Sequence, residues 1–500
     1  MASTPILCEL VNGVLARPLR ATMFETRNPA TGELIARVPA SDHAAVTAAI
    51  GAARTAFDDG RWSALPLAAR AALLRDVADA LEANREALAR AETADTGMLL
   101  KMTLQGHVPR AVAHFRYFAN EAERMGGECW AMDDAYLQLV QREALGVVAI
   151  LAPWSAPLAV ATINLAAALA AGNTVVLKSP ERAPLSLSLL AEIVAAIDFP
   201  PGVVNIVHGQ AEPAGRALAA SAAVDGLCFV GGSDTARAIL AQGAAPFRRN
   251  TLELGGKSAT IVCRDARLEE AIDGALLSVF SSNGEVCTAG SRVLVQAGLY
   301  EEFARRFIER TRAIKVGDPC DGLTEIGPLI DAAHLASVER HLLAAQREGA
   351  TLACGGVRPA NLATGYYLSP AVVTGVTPAM SLFHEEVFGP VAALIPFDDE
   401  EQALALANDS QYGLSACVWC GDASAGLALA RKLRCGVVGV NSPVIRDIRV
   451  AFGGMRASGL GRIGGRWSLE QYSELKTTCV PVNGYPLPRY GAHGQEAGQD

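Results

Sequence analysis

The chain has 500 residues, 51% of them hydrophobic and 19% charged, with a formal net charge of −9. That length allows two to four domains with ample core, and the hydrophobic share excludes an intrinsically disordered chain. The acidic balance argues against nucleic acid as a partner, since neutralising phosphates takes a basic face. The 11 cysteines are odd in number and scattered, which favours a reducing, cytoplasmic setting over a disulfide framework.

Residues 1–10 carry Glu9 and no basic cluster, so no secretory leader is expected. Asn28-Pro-Ala-Thr-Gly predicts a turn leading into a strand. Amphipathic periodicity predicts helices over 42–57, 67–96 and 108–124, with Gly97 as the C-cap of the second. These helices read as scaffold. The character changes over 128–143, where Tyr136-Leu-Gln-Leu-Val-Gln-Arg alternates with period two, as a half-exposed strand does.

The stretch 144–177 carries no charge at all, yet Pro153, Pro157, Asn164, Gly172 and Asn173 punctuate it. It reads as strand, turn, alanine-rich helix and strand buried on both faces, so no membrane association is expected. From there to about 249, predicted strands at 147–151, 174–177, 203–207 and 226–230 alternate with helices at 159–171, 185–196, 211–220 and 235–242. That alternation is a doubly wound parallel sheet, with ligand loops at 152–157, 178–181 and 231–233. No G-x-G-x-x-G opens its first unit, so the motif alone supports a dinucleotide only weakly.

The chemistry concentrates in 251–292. Thr251-Leu-Glu-Leu-Gly-Gly-Lys-Ser258 puts a carboxylate, Glu253, in a glycine-flanked turn, and Asn283-Gly-Glu-Val-Cys-Thr-Ala-Gly-Ser-Arg292 puts Cys287 in a second glycine-containing loop. A strand at 259–263 and a helix at 268–280 between them can fold the two loops together. Free cysteine is ordinarily a small buried apolar residue. The glycine and small polar flanks of Cys287 set it apart, because loops carry chemistry more often than cores do. A thiol that can ionise and a carboxylate that can hold a water are the parts needed to form and hydrolyse a thioester.

Leu-Glu-Leu-Gly-Gly-Lys, followed at this spacing by Gly-x-x-Cys-x-Ala-x-x-Arg, resembles the NAD(P)-dependent aldehyde dehydrogenase superfamily. The resemblance runs from Asn28 to about Val480 and includes Ala451-Phe-Gly-Gly-Met-Arg-Ala-Ser-Gly-Leu-Gly-Arg462, with Arg456 where lysine is usual. It implies an α/β fold of three parts. These are a variant Rossmann cofactor domain (1–125 and 146–252), an α/β catalytic domain (253–455), and a β oligomerisation arm (126–145 and 472–485) that joins copies into a homodimer or homotetramer. It implies Cys287 as nucleophile, Glu253 as general base and Ser155 at the oxyanion position. It implies cofactor contacts from Trp154, Lys178, Glu181, Gly232, Ser233, Glu386 and Phe388. In Val176-Leu-Lys-Ser-Pro-Glu181 the lysine and glutamate bind the adenosine ribose in that family, and a carboxylate there accepts from a free 2′-hydroxyl and repels a 2′-phosphate. Glu181 therefore favours NAD over NADP. The expected reaction is oxidation of a small-molecule aldehyde to its acid, and Glu253 argues against the CoA-acylating branch.

Several positions depart from the family pattern. Ser155 stands where an asparagine usually donates to the oxyanion, and losing one such donor costs ~10²–10³ in rate. Asn164 and Ile463 replace a lysine and a glutamate together. Glu285 replaces a common glutamine and would raise the thiol pKa if it pointed inward. Phe229-Val-Gly-Gly-Ser233 leaves the phosphate contact to Gly232 or to Ser233. These losses motivate the alternative of a binding or structural protein on the same fold. Arg446 and Arg449 offer charge for a carboxylate-bearing aldehyde, although arginines on a loop are ordinarily solvated. Cys417-Val-Trp-Cys420 reads as core packing, because strand residues three apart face opposite ways. His334 and His341 lack a third ligand, so no metal is expected.

Overall fold

The computed structural model describes residues 4–18, 22–132, 135–244, 246–483 and 490–491. From Pro486 onward only Tyr490 and Gly491 are among them. Val147–Leu151 is buried at every residue and lies near the middle of an eight-stranded sheet. On one side the chain adds Thr174–Lys178 and Val204–Val207; it then returns to the other side for Gly226–Gly231 and Arg249–Leu254. These five strands are parallel, while Glu9–Val11, Val14–Ala16 and Gly459–Leu460 close the edges antiparallel. The strand order reverses at Val147–Leu151, so the crevice at its C-terminal end is where an open α/β sheet takes a ligand.

The apolar stretch after that strand forms helix Pro157–Ala170, buried along its whole length. It begins two residues earlier than its periodicity suggests, because proline's fixed φ suits the first helical position. The expected helix 67–96 divides at Asn84 into Leu67–Ala83 and Arg85–Thr96. Asn84 turns its amide onto the Ala80 carbonyl, 2.9 Å away, and takes φ −102° and ψ 17°. Gly97 caps the second piece at φ 75°.

A second sheet of seven strands runs Thr351–Cys354, Ala371–Thr374, Val391–Phe397, Arg292–Gln296, Ala259–Val262, Ser415–Trp419 and Val437–Val440, parallel except for the first. The third sheet is antiparallel. Ser473–Pro481 pairs over nine positions with Tyr136–Ala144, which pairs in turn with Glu128–Met132. The outer strands are exposed almost throughout, with Trp130 and Leu475 each about three-fifths accessible. No described helix is long and apolar enough to cross a membrane.

Candidate active site

Between the two large sheets lies a cavity of about 840 Å³. The first sheet contributes the C-terminal ends of its strands: the loop of Trp154 and Ser155 after Val147–Leu151, Lys178 and Glu181 after the next strand, and Gly232 after Gly226–Gly231. The second sheet contributes the loops ahead of its strands, with Cys287 before Arg292–Gln296 and Glu386 and Phe388 before Val391–Phe397.

Glu253 belongs to strand Arg249–Leu254 rather than to a turn, because its pairing with Gly226–Gly231 continues through Leu254. The glycines that follow exist for close approach. A Cβ on Gly255 would lie 2.0 Å from Glu386 Oε2, and one on Gly256 would lie 2.7 Å from the Cys287 carbonyl oxygen. Gly256 N–H donates to Glu386 Oε1 at 2.9 Å. The Leu-Glu-Leu-Gly-Gly run is thus the seam along which the Glu253 strand, the Cys287 loop and Glu386 meet. The cysteine loop is pinned by Asn283, whose amide donates to Gly97 and Pro328 carbonyls and accepts from Gly327 N–H at 2.7 Å. Ser282, Asn283 and Gly284 all have positive φ, and a Cβ on Gly284 would meet Gly389 at 2.3 Å.

Burial dominates the electrostatics. It pushes Glu253 up to about 7, against the opposing charges of Arg446 and Arg110. Glu253 Oε1 is buried without a protein partner. Burial also raises the Cys287 thiol; Arg446 draws it down, and Glu253 and Glu386 push it up. Glu386 rises to about 7 through burial, against the Gly256 N–H and the Lys257 charge. Glu285 does not act on the thiol as its position in the sequence suggested. It turns to accept from Ile330 N–H at 2.9 Å, and burial raises its pKa well above the carboxylate range.

Trp154 and Phe388 meet edge to face at 5.2 Å between ring centroids, and His334 completes that wall. His334 Nε2 lies 2.7 Å from the Phe388 carbonyl, which fixes a residue held at φ 55°. Burial lowers the Lys178 amine, and Glu181 opposes that at 3.4 Å. Gly232 precedes helix Ser233–Gly243 and lies on the cavity, so the helix start is available to an anion. Ser233 is the exception among the expected contacts: it is not on the cavity wall, and its hydroxyl donates to the Ala457 carbonyl at 3.3 Å. Ser155 is on the wall, and its hydroxyl bonds to no other described residue.

Among the wall residues that escaped the sequence reading are His107 and Arg110. Arg110 lies on the expected helix 108–124, which looked like scaffold, and His107 just ahead of it, and no local motif marks them. Arg110 makes no ion pair or hydrogen bond with any described residue, and burial lowers it to about 10. Arg446 also reaches the cavity, its guanidinium 3.6 Å from the centroid of the Phe452 ring. Arg449 instead is exposed and pairs with Asp447. Behind the site, Asn164 accepts from the Tyr472 hydroxyl at 2.7 Å and donates to Val160, while Ile463 packs in the core. A neutral hydrogen-bonded pair and an apolar side chain fill that space without an unpaired charge. Cys417 and Cys420 are both buried and free. Among the described residues no group of three or more His, Cys, Asp or Glu side chains is placed to hold a metal.

A thiol and a buried carboxylate line one cavity with the kind of strand-end crevice that takes a dinucleotide. The aldehyde dehydrogenase family model matches residues 17–478, and the chain belongs to that family. It is 41% identical over 450 residues to the 5-carboxymethyl-2-hydroxymuconate semialdehyde dehydrogenase of Escherichia coli, covering 89% of this chain and 95% of that one. It is 38% identical over 487 residues to human 2-aminomuconic semialdehyde dehydrogenase, covering 96% and 100%. The NAD+ complex of an aldehyde dehydrogenase from Bacillus cereus superposes with a TM-score of 0.93 at 36% identity, over 95% of this chain and 97% of that one. The chain is an aldehyde-oxidising enzyme that works with a nicotinamide cofactor.

Proposed function

We propose that this enzyme oxidises an aldehyde bearing a carboxylate, with NAD as the acceptor and water as the acyl acceptor. The observation that carries the substrate class is Arg110. Leaving a partly desolvated guanidinium without an anion is costly, and Arg110 lies on the cavity with no partner among the described residues, electrostatically coupled to Cys287 and Glu253. Arg446, steadied on Phe452, supplies a second charge on the same wall. The relatives named for muconic semialdehydes act on aldehydes that are also acids, which supports the same reading.

The cavity fits a dinucleotide. Glu181 suits a free ribose 2′-hydroxyl, the start of helix Ser233–Gly243 suits a pyrophosphate, and the Trp154–Phe388–His334 wall beside Glu386 suits a nicotinamide nucleoside. When bound, that group accepts a hydride. The chain's own residues do the rest. Cys287, as thiolate, adds to the aldehyde carbon, and the positive field of Arg446 favours that ionisation. Ser155, on the same cavity wall, is the proposed donor to the oxygen that becomes negative. After oxidation the acyl group stays on Cys287 as a thioester. Glu253 then takes a proton from water as the water adds to that carbon, and the thiolate leaves. Glu253 on the cavity supports hydrolysis over transfer to a thiol cofactor. With Cys287 and Glu253 facing one cavity, the binding-protein alternative is not favoured.

The test of the substrate class is Arg110→Gln assayed on 5-oxopentanoate and pentanal. Removing one partner of a desolvated charge pair costs about 2–5 kcal/mol. On that scale kcat/KM for the acidic aldehyde falls roughly 30-fold or more, while pentanal changes little. An equal effect on both aldehydes removes the reading. The exposed arm edges, Trp130 and Leu475 among them, favour association of two or four chains, and the free cysteines suit a reducing cytoplasm. Cofactor and assembly are read on the same purified protein. NAD binds more tightly than NADP, Glu181→Ala narrows that gap, and light scattering returns two or four chains. Tighter NADP binding would sink the first reading and a monomer the second.

A further inference from the structure

Beside Arg110 is a buried dyad that the reaction does not use. His107 Nδ1 lies 2.5 Å from Glu92 Oε1, and the carboxylate is fully inaccessible. Glu92 Oε2 accepts from Leu158 N–H at 3.0 Å, at the start of helix Pro157–Ala170, where a negative charge is favoured. Both carboxylate oxygens therefore act as acceptors, which puts the ring proton on Nδ1. That leaves Nε2. It has no partner among the described residues, and His107 is part of the cavity wall. The ring is aimed by a single π-helical turn, Thr103–His107, that interrupts the run into helix Val108–Glu123. Such turns cost regular hydrogen bonding and are found mostly where a side chain is needed in an irregular place.

His107 and Arg110 are three residues apart, one turn along a helical face, where Cβ atoms lie about 5–6 Å from each other. A carboxylate held by Arg110 brings the substituent on its neighbouring carbon within reach of His107. We propose that His107 is a specificity-determining residue whose Nε2 hydrogen-bonds a hydroxyl on the carbon next to the substrate's carboxylate. A hydroxyl suits this site because it can donate to the unprotonated Nε2. The inference rests on the carboxylate reading of Arg110. It adds that the preferred aldehyde is a 2-hydroxy acid and not a simple one. Glu92 is a positioning residue: it fixes the ring and does not touch the substrate.

The experiment compares wild type, His107→Leu and His107→Gln on 2-hydroxy-5-oxopentanoate, 5-oxopentanoate and pentanal. A site built to bond a substrate hydroxyl discriminates against the analogue lacking it. Wild type should therefore prefer the hydroxylated acid, by roughly tenfold for one net hydrogen bond. His107→Leu should erase that preference while leaving 5-oxopentanoate and NAD affinity near wild type, and His107→Gln should restore part of it. An equal loss on all three aldehydes makes the dyad a structural brace and overturns the proposal, as does an unchanged preference. If His107→Leu does not fold, product inhibition of wild type decides. 2-Hydroxyglutarate should bind about tenfold more tightly than glutarate, and equal inhibition overturns the proposal. Failure of the underlying reading looks different, because wild type would then not distinguish 5-oxopentanoate from pentanal.

Discussion

Cys287→Ala lowers steady-state NADH production by roughly 10⁴–10⁶-fold, the scale on which removing a nucleophile that nothing replaces reduces turnover. No other cysteine lines the cavity, so no neighbour can take over the addition. The loss is expected in chemistry and not in binding, since the proposed cofactor contacts lie on other loops; NAD titrated against intrinsic fluorescence should give the wild-type affinity. The thiol is raised by burial, so acylation by the wild type accelerates as pH climbs above neutrality and the thiolate fraction grows. Turnover of the alanine variant within tenfold of wild type would remove Cys287 from the mechanism.

Glu253→Gln separates the two halves of the reaction. Glutamine keeps the shape of the side chain but cannot take a proton, and losing a general base typically costs 10²–10⁴-fold. Mixed rapidly with aldehyde and NAD, the variant should release about one NADH per site in a burst near the wild-type rate. It should then continue ~10²–10⁴ times more slowly as the thioester waits for water. The pH profile carries the same signature. In the proposed mechanism Glu253 acts as the ionised base; its pKa is pushed up to about 7, so wild-type deacylation should rise with pH through that value and fall away below it. In Glu253→Gln this limb disappears. A variant with no burst and a slowed first turnover would assign Glu253 to the thiol step, as the base that activates Cys287.

The amino-acid sequence determined the sheet and marked out the candidate reacting groups. The alternation of strand and helix from 147 to 243 is driven by short apolar runs buried on both faces, a local property of composition and period. Cys287 and Glu253 stood out because each sits in a glycine-marked run, and the reason for those glycines is visible only in three dimensions: Gly255 and Gly256 clear space for Glu386 and the Cys287 carbonyl. Where the sequence left a choice between Gly232 and Ser233, tertiary packing turned the Ser233 hydroxyl onto Ala457. It likewise turned Glu285 away from the thiol and onto Ile330. His107 and Arg110 were invisible to periodicity, since a polar residue on an amphipathic helix is ordinarily solvated. Both line the cavity, and His107 is held there by Glu92, fifteen residues before it in the chain, which in turn accepts from the start of helix Pro157–Ala170. The chemistry of bond making is written in local motifs, because it needs particular atoms in particular turns. The proposed recognition of the substrate draws on distant segments, and only their packing brings Arg110 and Arg446 onto one wall.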